Sequence, residues 1–285
     1  MTTPTSTIWL NNLKTVLLLG ALTALFVVVG AQWGRAGMTI ALIFGAGVNL
    51  AAWFFSDRIA IAAMRGREVD ARTAPDLVGM VDRLRRQAGL PMPRVYLCPH
   101  DAPNAFATGR SPRKAAVAVT QGALRLLDER ELEGVIAHEL AHIRHRDTLI
   151  SCVAATIAGV LAWVAQWGFF MMGGRREGQN PLVMILTVIV AAVAAAMIKS
   201  MISRSREFAA DAGGAEIAGT PDGLISALAK LDAYSRRVPL VQPNPAQNNL
   251  FIVEPFGGSR TLLSLFATHP PTEIRIRRLE SLRTG

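Results

Sequence analysis

Apolar residues along this chain fall into two patterns: long unbroken runs, and stretches in which apolar and polar positions alternate at helix or strand spacing. Four runs carry no charge, Thr15 to Trp33, Gly37 to Phe55, Leu149 to Met172 and Pro181 to Ile198. Each is about long enough to cross a hydrocarbon core of roughly 30 Å as a helix rising ~1.5 Å per residue. The first lacks a small-x-small cleavage site and a second follows after three residues, so the pair reads as a retained anchor hairpin rather than a secretory signal. The intervening polar segments have the periodicity of a folded domain. Thr73 is placed to cap a helix opened by Pro75, with Leu77, Met80, Val81 and Leu84 on one face. Arg94 to Cys98, the NAFATG segment and Ala115 to Thr120 read as two or three short strands. From Asp128, DERELEGVIAHELAHIRHRD begins acidic and ends basic and puts Leu132, Val135, Ile136 and Leu140 on one face, which predicts a helix running into the third apolar run. The fourth run leads into an alanine-rich helical segment around residues 199–219, and a last helix follows Pro270 and Pro271.

Composition strengthens the membrane reading: 51% of the 285 residues are hydrophobic and only 18% are charged, unusual for a soluble enzyme. The net charge of +9 raises nucleic acid as a partner, but no RNA-binding or helix-turn-helix pattern accompanies it, so none is expected. The basic residues instead crowd the ends of the apolar runs, among them Arg58, Arg65, Arg67, Arg144, Arg146, Lys199, Arg204 and Arg206. By the positive-inside rule the polar sections and both termini are cytoplasmic. The two cysteines, Cys98 and Cys152, lie in dissimilar surroundings and imply no disulfide framework, as suits a reducing compartment.

Three of only five histidines fall between residues 138 and 145, in the sequence His138-Glu139-Leu140-Ala141-His142. On a helix the two histidines lie one turn apart on one face, and Glu139 is displaced around the helix toward a metal-bound water, giving two ligands and a base. Catalytic zinc needs a third protein ligand. His145 shares the face but stands seven residues from His138, roughly 10 Å along the axis, and cannot join both other histidines on one ion. A longer motif completed by Gly at 145 and His at 148 is excluded, because those positions are His145 and Thr148. Glu207 is the better third ligand. It precedes Asp211 by one turn, so one carboxylate binds metal while the other holds the outer nitrogen of a ligand histidine. If the helices continue through the spans, an antiparallel hairpin returns Glu207, nine residues past the fourth run, to the height of His142, seven residues before the third. The bland alternatives are a solvated Glu207 paired with Arg204 or Arg206, Asp147 paired with Arg144 or Arg146, and His100 and His145 as loop or surface residues. Two imidazoles and a carboxylate suit zinc, one per chain, though cobalt or manganese could substitute in vitro.

HELAHIRHRD, the paired runs after it, SRSREFAAD, NAFATG and THPP together resemble the HtpX family of membrane zinc endopeptidases, of the gluzincin type, over nearly the whole chain. The resemblance implies a mainly α fold with a small β-sheet (α+β), with four transmembrane helices and a cytoplasmic zincin-like catalytic domain. The expected organisation is an N-terminal hairpin at 1–56 (spans 15–33 and 37–55) and a first catalytic part at 57–148. A second hairpin at 149–198 (spans 149–172 and 181–198) and a second catalytic part at 199–285 follow. It implies metal ligands His138, His142 and Glu207, a catalytic Glu139, and cleavage of damaged or misfolded membrane proteins at the cytoplasmic face of the inner membrane in stress-linked quality control. Phe208 and His145 depart from the commoner Tyr and Asn, and neither touches a ligand. His269, in Thr268-His269-Pro270-Pro271, is the candidate donor to the oxyanion, since related membrane metallopeptidases use such a histidine near zinc. Strand addition along Ala115 to Thr120, through Ala116, Val117 and Ala118, with Asn104 nearby, would bind an extended polypeptide. Two rivals are an intramembrane site-2-type protease and a catalytically dead zinc scaffold. The charges around the motif oppose the first, and Glu139, which a structural site does not need, opposes the second.

Overall fold

The structure, a computed structural model, describes residues 34–148, 204–237 and 270–284, with scattered positions between residues 9 and 31. The third and fourth apolar runs, about half of the first, and His269 lie outside the described residues.

The second apolar run forms the greater part of helix α1, Gly34–Ala63. Its segment Gly34–Phe55 is the one described helix long and apolar enough to cross a membrane. Most of its side chains are exposed, with Ile40 and Ile43 each 67% exposed and Phe44 55% exposed, while Gly45 and Asn49 meet Phe26 and Thr23 of the first run. An apolar helix that its own protein leaves mostly uncovered belongs in lipid. At 30 residues, about 45 Å, α1 is longer than a bilayer core. Its last turns bury Ala60 and Ile61, with Met64 just beyond, against Tyr96, Cys98, Phe106, Ala116 and Ala118.

Those five residues lie on one face of a four-stranded sheet formed by β1 (Arg67–Val69), β2 (Arg94–Cys98), β3 (Ala105–Thr108) and β4 (Ala116–Thr120). The order is β1-β2-β4-β3, with β2 and β4 parallel and both outer strands antiparallel to their neighbours. Alternation of side chains puts Val95, Ala105, Ala107, Val117 and Val119 on the other face, in the main core. The alternating Ala and Val of β4 thus serve two cores, small residues toward α1 and branched ones toward the main core. This topology corrects the expected substrate strand: Ala116, Val117 and Ala118 are paired on both sides, by β2 and by β3, and have no free edge. Among the described residues the edge strands are β1 and β3, the latter from the NAFATG segment.

Helix α2 (Pro75–Gln87) buries Leu77, Met80, Val81 and Leu84 as its spacing predicts. Thr73 does not cap it. Asp70 and Thr73 instead form a local turn in which the Asp70 carboxylate accepts the Thr73 amide at 3.0 Å and the Thr73 hydroxyl accepts the Asp70 amide at 2.9 Å. After α3 (Gln121–Leu126), helix α4 (Glu129–His145) starts with a capping box, Asp128 accepting the Glu131 amide while the Glu131 carboxylate accepts that of Asp128. Glu131 also accepts from Ser226 and Lys230 of α6 (Asp222–Arg237), so one buried carboxylate joins cap and helix pair. Helix α4 does not run on into the third apolar run. Arg146 adopts a left-handed conformation (φ 58°) and ends it. Cys98 is buried and unpaired, and burial pushes its thiol up to about 11, which leaves it inert.

Candidate metal centre

Helix α4 and helix α5 (Arg204–Ala218) pack closely because Gly214 faces the α4 backbone: a Cβ there would lie 2.9 Å from both the Cα and N of His138. That approach brings Glu207, two turns earlier on α5, onto the two histidines. The Nε2 atoms of His138 and His142 stand 3.2 Å apart, and the Glu207 carboxylate lies 3.8 Å from the first and 3.7 Å from the second. All three ligand atoms fall within 4.8 Å of one another. Two ligands at ~2.0–2.1 Å from a tetrahedral zinc stand roughly 3.3–3.4 Å apart, so the nitrogens are at the required spacing and the carboxylate a few tenths of an ångström outside it. Two imidazoles and a carboxylate converging in a largely buried place fit this ion.

Each histidine is backed by a carboxylate on its outer nitrogen. Asp211 lies 3.0 Å from His138 Nδ1, the arrangement its one-turn offset from Glu207 leads one to expect. Asp147 lies 3.2 Å from His142 Nδ1. The second contact corrects the expectation that Asp147 pairs with Arg144 or Arg146: the left-handed turn at Arg146 folds the chain back, the Asp147 amide donates to the His142 carbonyl, and Arg144 pairs with Glu216. Such pairs fix ring orientation and leave Nε2 for the metal. Burial alone would depress His142, but the Glu207 and Asp147 carboxylates outweigh it and raise its pKa to about 9.

Behind Asp211 stands Arg275 of α7 (Thr272–Ser281), 1% exposed and bound twice, Nε to Oδ2 at 3.0 Å and Nη2 to Oδ1 at 2.7 Å. Its Nη2 also approaches His138 Nε2 to 3.5 Å. Burial raises the Asp211 carboxyl, but the Arg275 charge and the bonds from His138 and Arg275 prevail and hold it at about 2. Nothing in the local sequence marks Arg275 as buried except its place one turn before Leu279, which is fully buried on the same face.

Glu139 is 6% exposed, and its Oε2 accepts the Ala107 amide of the edge strand at 2.7 Å. Asn104, just before that strand, is 1% exposed and exchanges backbone bonds with Thr120: its amide donates to the Thr120 hydroxyl and its carbonyl accepts the Thr120 amide. His145 is half-buried beside Gly213 rather than on the surface, and burial lowers its pKa. The outer side of the α4 region carries solvent-exposed ion pairs, Glu133 with Arg83 and Arg144 with Glu216, as a helix in water does.

The model of peptidase family M48 matches residues 71–283, three-quarters of the chain and all of this constellation. The chain belongs to peptidase family M48. Similar curated proteins include a "Protease HtpX homolog" from Desulfatibacillum aliphaticivorans, 50% identical over 281 residues, covering 96% of this chain and 90% of that one. Another, from Burkholderia multivorans, is 48% identical and covers 96% and 98%. A solved structure, that of S. mikatae Ste24p, shares the fold with a TM-score of 0.52 at 17% identity, over 95% of this chain and 66% of that one. An M48 chain with these relatives is a membrane-bound zinc metalloprotease, a hydrolase acting on polypeptides.

Proposed function

We propose that the chain holds one zinc ion on His138, His142 and Glu207 and cleaves damaged or misfolded membrane proteins at the cytoplasmic face of the inner membrane. The observation that carries the reading is the convergence of the three ligand atoms beside Glu139, the neighbour of His138, whose carboxylate accepts the Ala107 amide of the edge strand β3.

Bound zinc supplies polarisation of the scissile carbonyl and acidifies a water. Glu139 takes the water proton and passes it to the leaving amine. The Ala107 amide holds one oxygen of Glu139 and leaves the other for that proton. In an antiparallel pair alternate residues turn their amide groups outward. Asn104 faces Thr120 in the ladder, so Ala105 and Ala107 present the outward groups; with the Ala107 amide taken by Glu139, an extended substrate adds at the Ala105 amide and carbonyl and the Ala107 carbonyl, beside Asn104. Backbone addition makes selection depend on accessible, extended chain more than on sequence, which is what clearing misfolded protein requires. The oxyanion donor in this scheme is His269, six residues before Arg275, which itself reaches His138.

The test is Glu139→Gln in the purified full-length protein. Zinc content should be unchanged while cleavage of casein or an unfolded membrane protein is lost. Undiminished cleavage by Glu139→Gln would remove Glu139 from the chemistry, and zinc without any cleavage by the parent would favour a structural role for the metal.

A further inference from the structure

The edge strand beside the metal centre is tied to the membrane helix at a definite height. Asp57, two residues past the apolar part of α1, pairs at 2.8 Å with Arg94, the first residue of β2. Strand β2 therefore starts near the bilayer surface and runs away from it, alongside Ala60 and Ile61 at Tyr96 and Cys98. Strand β4 is parallel to it, so the antiparallel β3 runs back toward the membrane. Two contacts hold its lower end. The Arg110 guanidinium lies 4.7 Å from the centre of the Phe54 ring, within the apolar part of α1. The Thr148 hydroxyl, at the start of the third apolar run, donates to the Gly109 carbonyl at 2.7 Å. Arg58, stacked 5.7 Å from the Phe55 ring, marks the same level, as a basic side chain at a lipid boundary does.

Ala107, which bonds the Glu139 carboxylate, precedes Arg110 by only three residues. Three residues of extended chain span at most about 10 Å. The catalytic carboxylate thus stands about one strand-end above the lipid-facing ring of Phe54.

We propose that the substrates this centre is built to take are juxtamembrane segments, extended stretches of polypeptide anchored in the same bilayer and cut close to its surface. The proposal rests on the peptidase reading above and on α1 lying in lipid. A substrate leaving the bilayer needs about three extended residues to climb ~10 Å, and a few more to lie along β3, so bonds from about six residues beyond a span are in reach.

Full-length enzyme with zinc, reconstituted in phospholipid vesicles, tests this with three substrates carrying one cleavable sequence. Two are anchored by a single membrane span, with the sequence beginning about 6 or about 20 residues beyond it; the third is a free peptide. Mass spectrometry of the products should show the near site cut at least as fast as the far site, and both faster than the free peptide. Cleavage of the free peptide and the far site with no cleavage of the near site would overturn the proposal. If the free peptide is not cut either, the peptidase reading has failed instead.

Discussion

The packing of α5 on α4 predicts that Gly214→Ala damages the metal centre, although residue 214 touches no metal ligand side chain. The added methyl would sit 2.9 Å from the Cα and N of His138, against the 3.4 Å or more of ordinary contact. The wall is helix backbone, which cannot rotate away, so α5 must shift by about 0.5 Å or the crowding stays as strain costing about 1–3 kcal/mol. Glu207 and Asp211 both ride on α5. Zinc ligand distances tolerate only about 0.2 Å, so a shift of that size should weaken zinc binding about ten- to a hundredfold, in the range seen when supporting residues are lost. Titration of the purified full-length protein against a fluorescent zinc chelator measures the effect. Gly79→Ala serves as control, since a Cβ there meets nothing within 4 Å and alanine favours a helix. If Gly214→Ala binds zinc as tightly as Gly79→Ala, the close approach does not set Glu207 in place.

Arg275→Ala removes the partner of a buried carboxylate and should cost about 3–5 kcal/mol, read as a lowered denaturation midpoint, together with weaker zinc binding because Asp211 no longer holds His138; an unchanged midpoint would show that Asp211 does not need this pair. Glu131 governs part of the acid stability. Burial raises its carboxyl, yet the bonds from Lys230, Ser226 and the Asp128 amide prevail and keep it below its ordinary 4.5. A depressed carboxyl stabilises the fold fully above its unfolded value and loses that contribution as pH falls through the folded value. Glu131→Gln should therefore cost about 1.5–3 kcal/mol near neutrality and progressively less below pH ~4.5, a convergence that denaturant melts across pH 3–7 would reveal; parallel curves would refute it.

The group of His138, His142 and Glu207 that could hold a metal is legible in the sequence because helix geometry is local. His138 and His142 are one turn apart, as are Glu207 and Asp211, and each pair needed only a helix to share a face. The buried faces of α2 and α4 followed from the same periodicity. What escaped was set by distant partners or by one backbone angle. Arg275 is one of three arginines in RIRRL, and nothing in that stretch sets it apart from the other two. In the fold Arg275 is buried and Ile274 is 43% exposed, because Asp211 supplies a charge 64 residues away. Asp147 reaches His142 only because Arg146 turns left-handed, a conformation that nothing about arginine foretells. Strand order is equally hidden: β4 has the stronger strand sequence and reads as the one to meet substrate, but β3 flanks it and takes the edge. Strand β1, three residues long, offers no period to read.

The central claim, one zinc held by His138, His142 and Glu207, is tested most directly by zinc K-edge X-ray absorption on the purified parent and on Glu207→Ala, with metal content measured on the same samples. The account predicts one zinc per chain in the parent, bound only through nitrogen and oxygen at roughly 2.0–2.2 Å with two imidazoles resolved, and loss of most of the metal from Glu207→Ala. A sulfur neighbour at ~2.3 Å, or an unaltered spectrum and full occupancy in Glu207→Ala, would contradict it.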